Sequence, residues 1–293
     1  MIRGPAGESA RAGDPTVPLP AGGPASAAGA TRGRGQPRYK SPAGYGPRPR
    51  RARRILRRTV VLLVTLILLA LVAFAALLAV TPSVRNAPQL AKAQATAHHV
   101  VYPGPAVPAR FAASLVATED HRFYSEPGID IFAIVRVAAG YLTGGGDQGG
   151  ATLYQQLAKV LYTQGRSGPK VEAEQVALAV KLDMTYSKKQ ILRMYAGVVY
   201  FGNGYYGLAA ASCGYFGVRP AGLSWPEAAL LAGLVQGPTA DDPVTHPATA
   251  QAREAHVLGR LVATGVLTQA QARAAQAVRL ATMLAHAGSS CTG

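Results

Sequence analysis

Two cysteines in 293 residues are too few for a disulfide-stapled scaffold, and Cys213 and Cys291 fit neither a zinc-finger nor a CxxC spacing. Acid is scarce: 14 Asp+Glu stand against 30 Lys+Arg, a formal net charge of +16. A single stretch is long and apolar enough to span a bilayer, which excludes a polytopic transporter. Runs alternating with period two are almost absent, which leaves little material for a sheet. No Gly-Lys-Ser or Gly-Lys-Thr follows the glycine-rich run from Gly144 to Gly150, so that run is no P-loop. Only 15% of residues are charged and 7% aromatic, while 49% count as hydrophobic, alanine carrying much of that total. The length allows one or two domains.

The surplus charge is unevenly placed. Residues 1–58 hold 13 Arg/Lys against Glu8 and Asp14 alone, a net +11, and are rich in Pro, Gly and Ala without hydrophobic periodicity. Such a segment buries too little apolar surface to offset its ordering entropy and is expected to be a disordered basic tail. Thr59 to Thr81 then runs uncharged, and at ~1.5 Å per residue it reaches the ~30 Å of a hydrocarbon core. A secretory signal would have a shorter leader and apolar core, so 59–81 is expected to be a transmembrane anchor. Arg50, Arg51, Arg53, Arg54, Arg57 and Arg58 precede it. The positive-inside rule then sets a single-pass protein of the plasma membrane, its N-terminus cytoplasmic and the rest extracytoplasmic. The cluster either only sets topology or also holds anionic headgroups. A basic tail on a membrane anchor argues against a nucleic-acid partner.

Residues 82–108, with proline at 103 and 105 and adjacent His98 and His99, are expected to be a juxtamembrane stalk. Beyond them apolar residues recur three and four apart, so an all-α domain is expected over 109–285, with a disordered tail at 286–293. Helices are expected over 111–119, 129–142, 151–162, 171–186, 188–199, 224–235, 249–263 and 268–285. Ser224 with Glu227 three residues on is the signature of a capping box.

Two constellations carry chemistry. Glu119-Asp120 closes an apolar helix and is followed by Phe123 and Tyr124. Partial burial would raise the proton affinity a general base needs; the bland reading is a solvated helix end. Gly150, Thr152 and Lys159 open a second helix, Thr152 and Lys159 seven apart on one face, which suits an anion such as phosphate. The bland reading there is an ordinary capped helix. Cys213 and Cys291 could bridge in an oxidising compartment, with buried packing the expected role of Cys213.

In order along the chain, these blocks and three further ones, around Tyr186–Gly202, Tyr206–Gly217 and Leu223–Asp242, resemble those of the peptidoglycan glycosyltransferases. That family comprises monofunctional transglycosylases and the transglycosylase domains of class A penicillin-binding proteins. Its first block is matched by Glu119, Asp120, Phe123, Gly128 and Asp130, its second by Gly150, Thr152, Gln155, Gln156 and Lys159. The resemblance implies a lysozyme-like α-helical fold and polymerisation of lipid II into glycan strands with inversion at the anomeric carbon. It implies Glu119 as general base, Thr152, Gln156 and Lys159 around the donor pyrophosphate, Arg136 at the acceptor's, and Arg166 or Lys170 assisting. Asp120, Phe123 and Gln155 are expected on the substrate side by the same matching. A divalent cation, Mg²⁺ or another, is the one cofactor it suggests, with no organic cofactor. The implied partners are lipid II, the nascent glycan strand, the membrane and other cell-wall synthesis proteins such as a separate transpeptidase.

The chain departs from that pattern at several positions. Glu126 stands where the family has His, Ala151 where it has Ser, and Val160 where it has Asn. Val171, Glu172 and Gln175 stand at its Arg, Lys and second catalytic Glu, and Arg193 and Gly197 at a later Glu and Asn. Glu172 shares a helix face with Gln175 and is the expected surrogate carboxylate, Glu174 being next if the register shifts. Three readings follow: an active glycosyltransferase, a non-catalytic lipid II-binding or scaffold relative, and a lysozyme-like hydrolase. Ser167-Gly168-Pro169-Lys170 spells S-x-x-K, but no Lys-Thr-Gly follows to make a transpeptidase.

Overall fold

The computed structural model describes residues 50–126, 151–286 and 291, and from Arg58 onward these belong to one compact unit. The expected helix 129–142, with Arg136, and most of the basic tail lie outside the described residues. Helix α1 (Arg50–Val80) contains an 18-residue window of mean hydropathy 3.2, none of it buried against the protein. It is long and apolar enough to cross a membrane. It begins ahead of Thr59 because the arginines before it are good helix formers.

Residues 82–108 are not a free stalk. They hold α2 (Ala87–Ala97), whose Ala87, Ala91 and Ala95, one turn apart, are buried against the domain. A stripe of methyl groups lets a helix approach closely, yet it is too weakly hydrophobic to stand out in a sequence scan. The end of α1 is held beside it. Lys181 donates to the carbonyls of Thr81 (2.7 Å) and Pro82 (3.1 Å), and the Tyr186 hydroxyl donates to those of Val84 (2.9 Å) and Arg85 (3.0 Å). A cation on the last carbonyls of a helix satisfies groups left without intrahelical partners.

Next come α3 (Ala109–Glu119), α4 (Leu153–Ala158) running into a π-helical turn (Lys159–Thr163), α5 (Pro169–Thr185) and α6 (Lys188–Val198). Then come α7 (Gly207–Phe216), α8 (Trp225–Leu234), α9 (Pro247–Ala263), α10 (Gln269–Gln276) and α11 (Leu280–Met283). Among the described residues there is no strand, only an isolated bridge between Tyr200 and Tyr206. The core forms where α3 and α9 pack on α8, which is buried from Pro226 to Leu234 except at Glu227, as expected of a helix apolar on every side.

Capping boxes start four of these helices: Thr152 with Gln155, Ser187 with Gln190, Ser224 with Glu227 and Thr268 with Gln271. The expected helix 268–285 breaks after Gln276. Helix α7, rich in alanine and glycine, is not among the helices expected from the sequence. Cys213 on α7 is not simply packed: it forms a disulfide with Cys291, Cα–Cα 5.6 Å, across 78 residues of chain. The end of the chain is thereby tied to the domain at Cys291.

Candidate active site

Helix α3 buries Phe111, Leu115 and Val116, and that apolar face delivers Glu119 to its C-terminal end. A carboxylate there meets the negative end of the helix dipole. The Glu119 side chain is only 11% exposed. Its Oε2 accepts a hydrogen bond from Gln156 Nε2 at 3.0 Å, and its Oε1 lies 3.6 Å from the Arg253 guanidinium. Burial raises the Glu119 pKa, and the Gln156 hydrogen bond and the Arg253 charge pull it back. Both tendencies suit a base that stays ionised yet accepts a proton.

Two residues orient this pair. The Tyr195 hydroxyl, fully buried on α6, donates to Gln156 Oε1, so the amide must turn its NH₂ toward Glu119. Arg253 on α9 donates to Gly233 O at 3.2 Å and also bonds Gln236 Oε1. It fits there because residue 233 is glycine: a Cβ would stand 2.8 Å from Arg253 Cγ. Arg260, two turns on, donates to Ala117 O at 3.1 Å and pins the end of α3. Sequence reasoning passed over Tyr195, Arg253 and Arg260. A signal existed for the last two, since arginines seven apart on an amphipathic helix share one face.

Asp120 points the other way, into the protein. It is 7% exposed and its Oδ2 accepts from the Leu153 N–H at 3.0 Å, at the start of α4. Phe123 is fully buried against Tyr154 (centroids 5.4 Å), with Lys188 over both rings. Neither has the surface for the substrate contact expected of it. Gln155 and Thr152 spend their polar groups on each other: Thr152 N donates to Gln155 Oε1 (2.8 Å) and Gln155 N to Thr152 Oγ1 (3.3 Å). Thr152 is 2% exposed, so its hydroxyl serves first as a cap. Gln156 alone of this group reaches Glu119.

Lys159, Arg166 and Lys170 are exposed along the turn from the π-helix into α5. Thr163 organises that turn: its hydroxyl donates to Lys159 O (3.2 Å) and accepts from Gln175 Nε2 (2.8 Å), and its carbonyl accepts from Arg166 Nε (3.3 Å). Glu174 lies 3.6 Å from Arg166, whereas Glu172 is exposed in the first turn of α5. The carboxylate in ionic contact with the basic turn is Glu174, the second of the two surrogates expected from the sequence.

Two departures from the family pattern have a local cause. Arg193 donates to Gly104 O at 2.9 Å, and a Cβ on Gly197 would come within 3.3 Å of the Tyr102 ring. One turn apart on α6, both face the segment leading into α3. They belong to that seam, not to the group of side chains around Glu119.

The sequence model of the transglycosylase family matches residues 86–262. The chain is a member of the transglycosylase family. Penicillin-binding protein 1A of Streptococcus oralis is 38% identical over 169 residues, covering 56% of this chain and 26% of that protein. Its namesake from Aquifex aeolicus is 40% identical over 166 residues, covering 56% and 23%. The chain thus spans about a quarter of the length of these relatives. A Cupriavidus necator protein named as a transglycosylase is 32% identical over 195 residues, covering 66% of this chain and 84% of that one. Penicillin-binding protein 1A of Haemophilus influenzae, a solved structure, matches over 58% of this chain and 16% of its own, at 20% identity and a TM-score of 0.35.

The span matched by the transglycosylase family thus starts at Asn86, the N-cap of α2, and ends inside α9, so it takes in Glu119, Gln156, Tyr195, Arg253 and Arg260. Among its described residues no three His, Cys, Asp or Glu side chains converge as metal ligands. Among the described residues near the basic turn only Glu172 and Glu174 offer carboxylates, and Arg166 pairs with the second. That donor set does not make a divalent-cation site on its own.

Proposed function

We propose that this transglycosylase polymerises lipid II into glycan strands from the outer face of the plasma membrane, with inversion at the anomeric carbon. The observation that carries the reading is the Glu119 carboxyl, buried at the end of α3 and held by Gln156 and Arg253. The 4-hydroxyl oxygen of the acceptor sugar attacks C1 of the donor, and its proton passes to Glu119. The C1–oxygen bond to the polyprenyl pyrophosphate breaks and its electron pair leaves with that group. Growing charge on the leaving pyrophosphate calls for cations, and Lys159, Arg166 and Lys170 supply them on the exposed turn that follows Gln156.

The geometry also suits a lipid-linked substrate. Lys181 grips the end of the membrane-crossing helix, and Glu174, beside Arg166, lies seven residues earlier on the same helix, roughly 10 Å along its axis. The basic turn thus stands close to the bilayer interface, where a polyprenyl pyrophosphate presents its phosphates. The outer location is supported by the arginines before α1 and by the Cys213–Cys291 disulfide, a bond that persists in oxidising compartments.

One observation favours a second reading, a non-catalytic module that binds lipid II or a cell-wall synthesis partner. At the position of the family's second catalytic Glu, Gln175 gives an amide hydrogen bond to Thr163 and carries no charge. Polymerisation of fluorescent lipid II by the full-length protein in detergent, with and without Mg²⁺ and beside Glu119→Gln, separates the two. Strands from the wild type and none from the variant are expected. Absence of strands with lipid II binding retained establishes the second reading instead.

A further inference from the structure

Behind Glu119 lies a second group of charges that its chemistry does not use. Asp120, at the end of α3, and Glu126, in the turn after it, have side chains in hydrogen-bond contact. Glu126 is 11% exposed in its side chain, with Arg122 Nε 3.3 Å from its Oε2. Its Oε1 is buried without a donor among the described residues. Two ionised carboxylates are acceptors only and cannot bond each other; one proton between them satisfies both.

Among the described residues the nearby cations do not remove the need for that proton: Arg122 reaches Oε2 of Glu126 and leaves Oε1 without a donor. Lys188, from α6, donates to the Glu126 backbone carbonyl (2.5 Å), pairs with Asp183 at 3.2 Å, and packs its ammonium over the Phe123 and Tyr154 rings. Tyr154, from α4, sees Asp183, Asp120 and Glu126, and its buried hydroxyl keeps its proton. Arg253, from α9, is committed to Glu119. On the other side of Asp120 the Leu153 N–H fixes the first turn of α4, three residues before Gln156.

We propose that Asp120 and Glu126 share one proton, and that this pair is a positioning element that seats the start of α4 and, through Gln156, Glu119. Losing the proton sets two negative charges against each other beneath α4 and loosens the Gln156–Glu119 contact. Burial first, and then Glu126, push the Asp120 carboxyl up to about 7, against the Leu153 hydrogen bond and Lys188, so the loss falls near neutrality. Glu126, which replaces the histidine of the family pattern, is thereby a positioning residue and not a catalytic one. The consequence for turnover rests on the glycosyltransferase reading above; the pair itself does not.

The test follows thermal unfolding of the full-length protein from pH 5.5 to 8.5 for wild type, Glu126→Gln and Asp120→Asn. Each amide donates permanently to the carboxylate left opposite. A carboxyl whose folded pKa is raised stabilises the fold below its unfolded pKa and loses that contribution as pH climbs through the folded one. Both variants are therefore expected to gain on wild type as pH rises, the difference in Tm widening by several degrees across the range. Taking differences cancels the slopes contributed by Glu119 and Glu254. A difference that stays constant with pH overturns the proposal, and either variant suffices if the other does not fold. In the lipid II assay the wild-type rate should fall above about pH 7 and that limb should move up in Glu126→Gln. If no protein makes strands while the Tm difference still widens, the functional reading fails and the proton-sharing pair stands.

Discussion

Replacing Arg253 by Met removes the cation beside Glu119 and keeps an aliphatic stem against Gly233, so it isolates the electrostatic part of the site. At 3.6 Å, an effective dielectric near 20 gives roughly 4–5 kcal/mol of gross attraction. The net effect is smaller. Arg253 is 19% exposed, its guanidinium also serves Gly233 O and Gln236, and the pair is longer than a direct hydrogen bond. A remaining contribution of about 1–2 kcal/mol corresponds to about one unit in the Glu119 pKa. Burial already raises that pKa, and without the guanidinium it rises further. The general base must be ionised, so the acid limb of kcat/KM for lipid II polymerisation should move up by about one pH unit, with recovery at high pH. Initial rates between pH 5 and 9 for wild type and Arg253→Met read this directly. A uniform loss of rate at every pH, with the limb unmoved, would refute the reasoning and put Arg253 on the substrate.

Glu254, 3% exposed on α9 with Oε1 lacking a partner among the described residues, has its pKa pushed up to about 7 by burial. Its raised folded value means stability present below the unfolded pKa is lost as pH climbs from about 4.5 through 7. Glu254→Gln should therefore recover on the order of 2–3 kcal/mol at pH 8 and little at pH 4.5, by denaturant unfolding at both. Tyr195→Phe removes the donor to Gln156 Oε1, a hydrogen bond worth about 1 kcal/mol, and should lower kcat roughly five- to tenfold with KM nearly unchanged. Cys213→Ser opens the 78-residue cross-link and should cost about 2–4 kcal/mol in chemical denaturation, an effect reproduced in wild type by reductant.

Periodicity located the amphipathic helices well. α3, α6 and α9 begin and end within two residues of their expected positions, because each buries one face and exposes another. It failed where that contrast vanishes. Helix α2 hides alanines, and α7 is apolar all round, so neither shows a stripe. The Cys213–Cys291 bond depends on bringing α7 to the chain end, a distance no local pattern encodes. At the site, Glu119 and Gln156 stood out in their blocks, and the fold sets them 3.0 Å apart. Arg253 could not be assigned without the fold, since it reaches Glu119 only because Gly233 lets α9 close on α8.

The adjacency of Glu119 and Asp120 shows how a helix end divides labour between two like residues. Glu119 is the last residue with helical geometry, and its side chain turns toward Gln156 on α4. Asp120 leaves the helix at φ −157°, ψ 70°, which swings its carboxyl onto the Leu153 N–H instead. One change in backbone direction sends two neighbouring acids to two ends of the same short helix. The first acid meets a guanidinium and an amide, the second a backbone N–H and another carboxyl. Those surroundings push both pKa values upward by burial but fit them to different uses: Glu119 to the proton transfer proposed for it, Asp120 to the pairing proposed with Glu126. A substitution at Asp120 should thus reach catalysis through the seating of α4, and one at Glu119 through the proton itself.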